Sequence, residues 1–306
     1  MKISVVTTLY KSSNSINEFY SLMSNEVKKI TDDYEIIFVD DGSPDDSFKK
    51  CIDFHKNDSK VRIIQLSRNF GHHYAAYAGL KSASGEYIFL IDSDLEVSPN
   101  VFTTFYDKIQ NSNIDVVYGV QKTRKGDFVE KYIGAIFWNL FNFLSDVKVP
   151  KNVLTERLMN RKYLDSLLKL EEKNLFFAGN MYWVGFNQIA IEIKKKQRTE
   201  KSTYNFIKRF DLFVEAITSF SEKPLKFLFY IGLFITIASL AAITFQLIRK
   251  IISPELILQG FTSLYILILF SLGVIISAIG LVAIYISKIF NETKSRPLYV
   301  IKKTIK

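Results

Sequence analysis

Apolar and polar positions fall into two regimes along this chain. Up to residue 222, short apolar runs alternate with amphipathic stretches. Ile3–Leu9 is a β-branched run that predicts a first strand, and residues 15–30 set Ile16, Phe19, Tyr20, Met23 and Val27 on one face at helical spacing. Residues 35–39 predict a second strand ending in Asp40-Asp41-Gly42-Ser43, with Pro44 expected to start the next helix, where its fixed φ is favourable. Val61–Leu66 is a third strand, 74–83 an alanine-rich helix, and 87–91 a fourth strand ending in Asp92-Ser93-Asp94. Pro99 is expected to open another helix, and 115–118 a fifth strand. Apolar strands separated by crossovers predict an α/β fold with a mostly parallel sheet covered on both faces. Such sheets bind ligands beyond the carboxyl ends of their strands, where both acidic clusters fall.

The second regime begins at Leu225. Residues 225–248 hold one charge, Lys226, and residues 261–287 hold none. Each run is long enough to cross roughly 30 Å of hydrocarbon. Two transmembrane helices are therefore expected, at about 225–248 and 261–287, within an anchor at 223–290. Residues 1–222 form the expected cytoplasmic domain. Residues 127–144 carry Phe128, Tyr132, Phe137 and Phe141 at helical spacing, which fits either a core helix or a helix in the membrane interface. Residues 204–220 read as a further amphipathic helix leading to the first span.

Met1 to Tyr10 carries only a short apolar run, read as a strand rather than a signal peptide. The domain is then expected to stay on the side where it is made, and two spans return residues 291–306 to that side as a basic tail with Lys294, Arg296, Lys302, Lys303 and Lys306. The expected location is the inner (cytoplasmic) membrane, multi-pass. The net charge of +9 fits a protein held against anionic lipid, and no nucleic-acid motif is present. The single cysteine, Cys51, excludes an internal disulfide.

Asp92-Ser93-Asp94 is the strongest chemical signal. Two carboxylates one residue apart at a strand end suit one hard divalent cation, Mg2+ or Mn2+, that also holds phosphate oxygens. Glu96 is a candidate third ligand. At Asp40-Asp41-Gly42-Ser43, a carboxylate either accepts bonds from a base or ribose or caps the following helix. Ser67-Arg68-Asn69-Phe70-Gly71-His72 adds a cation and several hydrogen-bonding groups after the third strand. Adjacent His72 and His73 fit local structural bonding better than one shared ion.

The order Val39-Asp40-Asp41-Gly42-Ser43, Ser67-Arg68-Asn69-Phe70-Gly71-His72, Ala78-Gly79-Leu80 and Asp92-Ser93-Asp94-Leu95 resembles glycosyltransferase family 2. More narrowly it resembles the polyprenyl-phosphate glycosyltransferases, relatives of dolichol-phosphate mannose synthase. Arg157-Leu158-Met159 and Ser219-Phe220-Ser221, followed by Pro224-Leu225, extend the likeness over nearly the whole chain. The resemblance implies a GT-A fold and transfer of a sugar, with inversion, from a nucleotide-sugar to a polyprenyl phosphate. UDP-sugar is the implied donor, undecaprenyl phosphate the implied acceptor, and modification of a cell-surface polysaccharide the implied purpose. Thr8, Tyr10, Asp40, Asp41, Arg68, Asp92 and Ser93 are implied around the nucleotide-sugar, and Asp92, Asp94 and Glu96 around the metal. Arg157, Arg198 and Lys201 are implied to face phosphates, and Asp94, Glu156 and Arg157 to act in catalysis. A homo-oligomer is left open.

The chain departs from the family at three points. Tyr10 is followed by Lys11-Ser12 where the family has an Asn-Glu pair. Leu154-Thr155-Glu156 replaces Gly-Asp-x, so that an acidic residue is lost or Glu156 stands in for it. Ser202-Thr203-Tyr204 replaces Ser-Lys-Tyr, with Lys201 as the available charge. Two alternatives follow. A polysaccharide-elongating transferase should show Gln-x-x-Arg-Trp, whereas Gln197-Arg198 is followed by Thr199. A degenerate transferase fold acting as a membrane-bound binding or assembly partner is favoured by the substitutions and opposed by the intact Asp92 and Asp94.

Overall fold

A computed structural model describes residues 2–110, 113–121, 152–170, 177–196, 223–252 and 261–306, with residues 143, 150, 172, 218 and 221. Apart from isolated positions, the helices expected at 127–144 and 204–220 lie outside the described residues, as do Arg198 and Lys201. The chain forms two compact units. One comprises Met1–Asn139, Val147–Phe206 and Ser295–Lys306, the other Leu140–Asp146 and Ile207–Lys294.

The first unit is built on an eight-stranded sheet. Its elements are β1 (Ile3–Leu9), α1 (Ile16–Lys28), β2 (Tyr34–Asp40), α2 (Ser47–Asn57), β3 (Val61–Leu66), α3 (His72–Ser82), β4 (Tyr87–Leu90), α4 (Val101–Gln110), β5 (Val116–Gln121), β6 (Val153–Asn160), α5 (Arg161–Leu167), α6 (Phe177–Trp183), β7 (Gln188–Ile193) and β8 (Ile301–Ile305). The strand order is β7-β5-β6-β4-β1-β2-β3-β8. The four expected strands β1 to β4 pair in parallel, as β4-β1-β2-β3. β6 runs antiparallel between β4 and β5, and β8 runs antiparallel on β3.

Strand alternation divides the core between the two faces. Ile3, Val5, Ile36, Phe38, Phe89 and Leu158 face α1, α2 and α4, packing on Phe19, Cys51, Phe102 and Phe105. Val6, Ile37, Val39, Leu90 and Met159 face α3, α5 and α6, packing on Ala75, Ala78, Tyr163 and Met181. Both faces are covered, as the apolar strands predict. α3 lies so close that a side chain at Gly79 would overlap Val6 and Val39. The rims of β1, β2 and β3 opposite the acidic clusters are joined at Glu35, which accepts from Ser4 Oγ, from Ser84 N and Oγ, and from Arg62. Burial opposes ionisation of Glu35, but these donors outweigh it and hold its carboxyl down at about 2.

The basic tail is corrected by the structure. Residues 301–305 form β8, with Ile63↔Ile305, Ile64↔Thr304 and Gln65↔Lys303 in register. Ile305 packs on the core while Lys302 and Lys303 stay exposed. The charge had masked a β-branched edge strand, and lysines on an edge discourage further pairing.

The second unit contains α7 (Lys223–Ile252) and α8 (Phe261–Thr293). Phe227, Phe229, Tyr230 and Phe234 of α7 are exposed, as are Leu264, Leu267, Ile275, Ile276 and Ile279 of α8. Within α8, Ser271–Thr293 has mean hydropathy 2.2 and is long and apolar enough to cross a membrane.

Candidate active site

The sheet order puts the ends of β4, β1 and β2 side by side, so the two acidic clusters flank the end of β1. Hydrogen bonds fix this juncture. Asp41 N donates to Leu9 O, Ile91 N to Val6 O, and Ser93 Oγ to Thr8 O at 3.0 Å. Ser93 is buried and ties two strand ends together. Lys11 and Leu95 follow these ends with φ of 58° and 59°. Left-handed backbone at such residues costs of order 1 kcal/mol each and clusters where loops are shaped for function.

The two aspartates at the end of β2, Asp40 and Asp41, divide the work. Asp41 is buried and accepts from Phe70 N at 2.7 Å and Gly71 N at 2.9 Å, which clamps the loop after β3. Its pKa is raised, because burial outweighs those two donors. Gly42, at φ 67°, makes the close approach possible, since a Cβ there would lie 2.7 Å from the backbone of Arg68 and Asn69. Asp40 Oδ1 accepts from Ser43 N at 3.1 Å, while its buried Oδ2 has no hydrogen-bond partner among the described residues. Arg68 lies over the Phe70 ring at 4.2 Å. Tyr10 is exposed. Lys11, Ser13, Asn14, Pro44, Asp45 and Asp46 line an open cleft of about 520 Å³ beside these loops.

Asp92 lies 3.5 Å from His72 Nε2, and His72 Nδ1 is 2.9 Å from Thr8 Oγ1. Asp92 Oδ1 is buried with no hydrogen-bond donor among the described residues, an arrangement that suits a cation. Asp94 Oδ1 accepts from Glu96 N at 3.0 Å. The pKa of Asp94 is raised by desolvation and by the charges of Asp92 and Glu96. The neighbouring like charges that disfavour ionisation of Asp94 would be offset by a divalent ion held at this turn. Glu96 is turned elsewhere, with its carboxylate 2.6 Å from Lys195 Nζ. Among the described residues, no group of three acidic, histidine or cysteine side chains assembles around one point.

β6 supplies what the strand pattern did not announce. Its antiparallel register pairs Leu90 with Arg157, so Glu156 falls one step further, beside the end of β4. Glu156 is 3% exposed, and burial followed by the charge of Asp92 pushes its carboxyl up to about 7. An acidic group therefore does stand by Asp92 despite Thr155. Arg157, the next residue, points to the opposite face. It is also 3% exposed, donates to Leu154 O and Thr155 O, and lies among Tyr118, Tyr163 and Tyr182. Its buried Nη1 has no hydrogen-bond partner among the described residues. Lys195 escaped notice because nothing but a run of three lysines marked it. Burial works against its charge, yet Glu96, Glu156 and Asp94 hold its pKa raised.

Residues 4–169 match the Glycosyl transferase family 2 domain. The chain is 41% identical over 303 residues to a protein of Mycobacterium tuberculosis (strain CDC 1551 / Oshkosh) named "Putative glycosyltransferases", covering 99% of this chain and 88% of that one. It is 34% identical over 306 residues to the uncharacterized glycosyltransferase YkcC of Bacillus subtilis (strain 168), covering 99% and 94%. It is 33% identical over 306 residues to the SfII prophage-derived bactoprenol glucosyl transferase of Shigella flexneri, covering 99% and 98%. The domain match and the end-to-end similarity agree with the GT-A-like α/β sheet and its acidic strand ends: this chain belongs to glycosyltransferase family 2.

Proposed function

We propose that this chain transfers a sugar from a nucleotide-sugar, with UDP as the nucleotide, to a polyprenyl phosphate of the undecaprenyl type at the cytoplasmic face of the membrane. The observation that carries the reading is the reach of the similarity to the bactoprenol glucosyl transferase. It covers 99% of the chain and so runs through both apolar helices as well as the sheet domain. Two spans, α7 and α8, are part of the proposal. The return of the chain to β3 through β8 supports an even number of crossings, because both ends of the anchor connect to one domain.

In this reading the cleft and the Asp40–Gly42 turn receive the nucleotide, and the clamped loop after β3 closes its wall. Asp92 and Asp94 would hold Mg2+ or Mn2+, which when bound neutralises charge on the departing diphosphate. The acceptor needs little activation, because the second pKa of a phosphate monoester is about 6. What it needs is position. An acceptor phosphate oxygen bonds to the anomeric carbon as the bond to the donor diphosphate breaks, and attack from the opposite face inverts the centre. Glu156, whose carboxyl burial pushes up to about 7, carries only part of a negative charge near neutral pH and so repels an anionic phosphate less than an ordinary carboxylate would. Arg198 and Lys201 are proposed to neutralise phosphates.

The test is transfer from a panel of nucleotide-sugars to undecaprenyl phosphate by the full chain, with Mn2+ or Mg2+ and with chelator. Chelator-sensitive transfer from one donor, abolished in Asp94→Asn, is the expected result. Retained nucleotide binding without transfer from any donor would overturn the proposal.

A further inference from the structure

The turn after β4 offers three carboxylates at alternate positions, Asp92, Asp94 and Glu96, yet one of them is already engaged. Glu96 Oε2 is 2.6 Å from Lys195 Nζ, with the two side chains 12% and 29% exposed. The pairing is built in twice, since Lys196 N also donates to Glu96 O at 2.8 Å. The left-handed residue Leu95 and the bond from Glu96 N to Asp94 Oδ1 fix where the Glu96 side chain begins. Lys195 also faces Asp94 and Glu156. One ammonium thus stands among the carboxylates of Asp94, Glu96 and Glu156, on a segment remote in sequence from all three.

We propose that Lys195 withholds Glu96 from the metal, so that Asp92 and Asp94 are the only carboxylates of this turn presented to a divalent cation. This inference rests on the reading that those two residues hold the metal. Three carboxylates with no internal cation would hold a bare ion strongly, since each unit of nearby charge shifts ionic equilibria by one or more powers of ten. Two carboxylates with a lysine behind them hold it weakly and leave the other positions to diphosphate oxygens and water. Metal and nucleotide then bind together and leave together. The lysine makes metal occupancy depend on the donor.

The two partners of the ion pair should therefore have opposite effects. Binding of Mn2+ to the full chain in detergent would be read from the spectrum of free Mn2+ by electron paramagnetic resonance, with and without UDP. Lys195→Gln releases Glu96 and is expected to tighten binding of Mn2+ alone by about tenfold and to reduce the gain from UDP. Glu96→Gln leaves the ammonium to Asp94 and Glu156, where it competes with the metal, and is expected to weaken binding of Mn2+ alone by a similar factor. Lys195→Arg keeps the pair and should stay near wild type, and the double variant should return towards it. Thermal melting of each variant reports folding. A merely structural ion pair predicts lower melting temperatures and the same metal affinity, or a loss in both single variants, and either result overturns the inference alone. If wild type binds no Mn2+ with or without UDP, the metal reading itself fails and this inference falls with it.

Discussion

At the scale of single residues, two departures from the family acquire physical meaning. Lys11 occupies the place of the family's asparagine and has φ 58°. Asparagine tolerates left-handed backbone far better than lysine. Lys11→Asn is therefore expected to stabilise the protein by about 0.5–1 kcal/mol, seen as a higher midpoint in urea with an unchanged slope. The second departure is at Leu154-Thr155-Glu156, where an acidic residue of the family is lost or Glu156 stands in for it. Glu156 is raised to about 7 from the usual 4.5, so its folded form holds a proton that the unfolded chain has lost. Its contribution is fully present below pH 4.5 and disappears as pH rises through 7. Glu35 has the opposite sign. Held at about 2, it stabilises above pH 4.5, and this is lost as pH falls towards 2. As pH rises from 5 to 8 in chelator, the melting temperature of wild type should thus fall relative to that of Glu156→Gln, while His73, whose pKa burial lowers to about 4, adds a rise up to about pH 6.5 in both proteins. Glu35→Gln should leave that slope intact while lowering stability at neutral pH by about 3 kcal/mol, because Arg62 is left without its carboxylate. A neutral-range slope identical in wild type and Glu156→Gln would show that the ionisation of Glu156 is not coupled to folding.

At the scale of elements, β8 is the piece whose removal says most. It covers the edge of β3 and its contact continues to the start of the loop after β3, where Ser67 N donates to Val300 O at 2.9 Å. Tyr299 packs beside the core on the α3 face. Ending the chain at residue 297 would leave the β3 edge unpaired and expose Ile63 and Ile64 to solvent or to another chain. A loss of about 3 kcal/mol is expected from a few ladder hydrogen bonds of about 1 kcal/mol each and part of one apolar side chain. Urea denaturation measures the loss, and light scattering should show association. Unchanged stability would mean that β8 only rests on the sheet.

At the scale of the whole molecule, β8 also dictates how the two apolar helices can be removed. Cutting the chain after residue 222 removes the helices and a strand of the sheet domain together. Replacing residues 223–294 by a flexible linker keeps β8 and removes only the helices. The replaced protein is expected to bind nucleotide as the full chain does, measured by calorimetry, and to lose most turnover on long-chain lipid phosphate. Turnover equal to the full chain on that lipid would remove the helices from any role in presenting the acceptor.

The sequence by itself determined the parallel half of the sheet, the two acidic strand ends and the long apolar helices α7 and α8. These are written in local patterns, because strands apolar throughout report burial in a covered sheet and long uncharged runs report long apolar helices. Even so, helix starts moved by a few residues, as at α2, which begins at Ser47 rather than at Pro44. Tertiary structure alone decided the rest. Whether Glu156 or Arg157 faces Asp92 depends on the register of β6 against β4, and a strand pattern does not name its partner. That β8 belongs to the domain depends on an edge of β3 left open more than 230 residues earlier. Asp41 turned out to hold a loop, and Lys195 reached the carboxylates from β7's far end, because hydrogen bonds and charges act across space between segments that no local pattern relates.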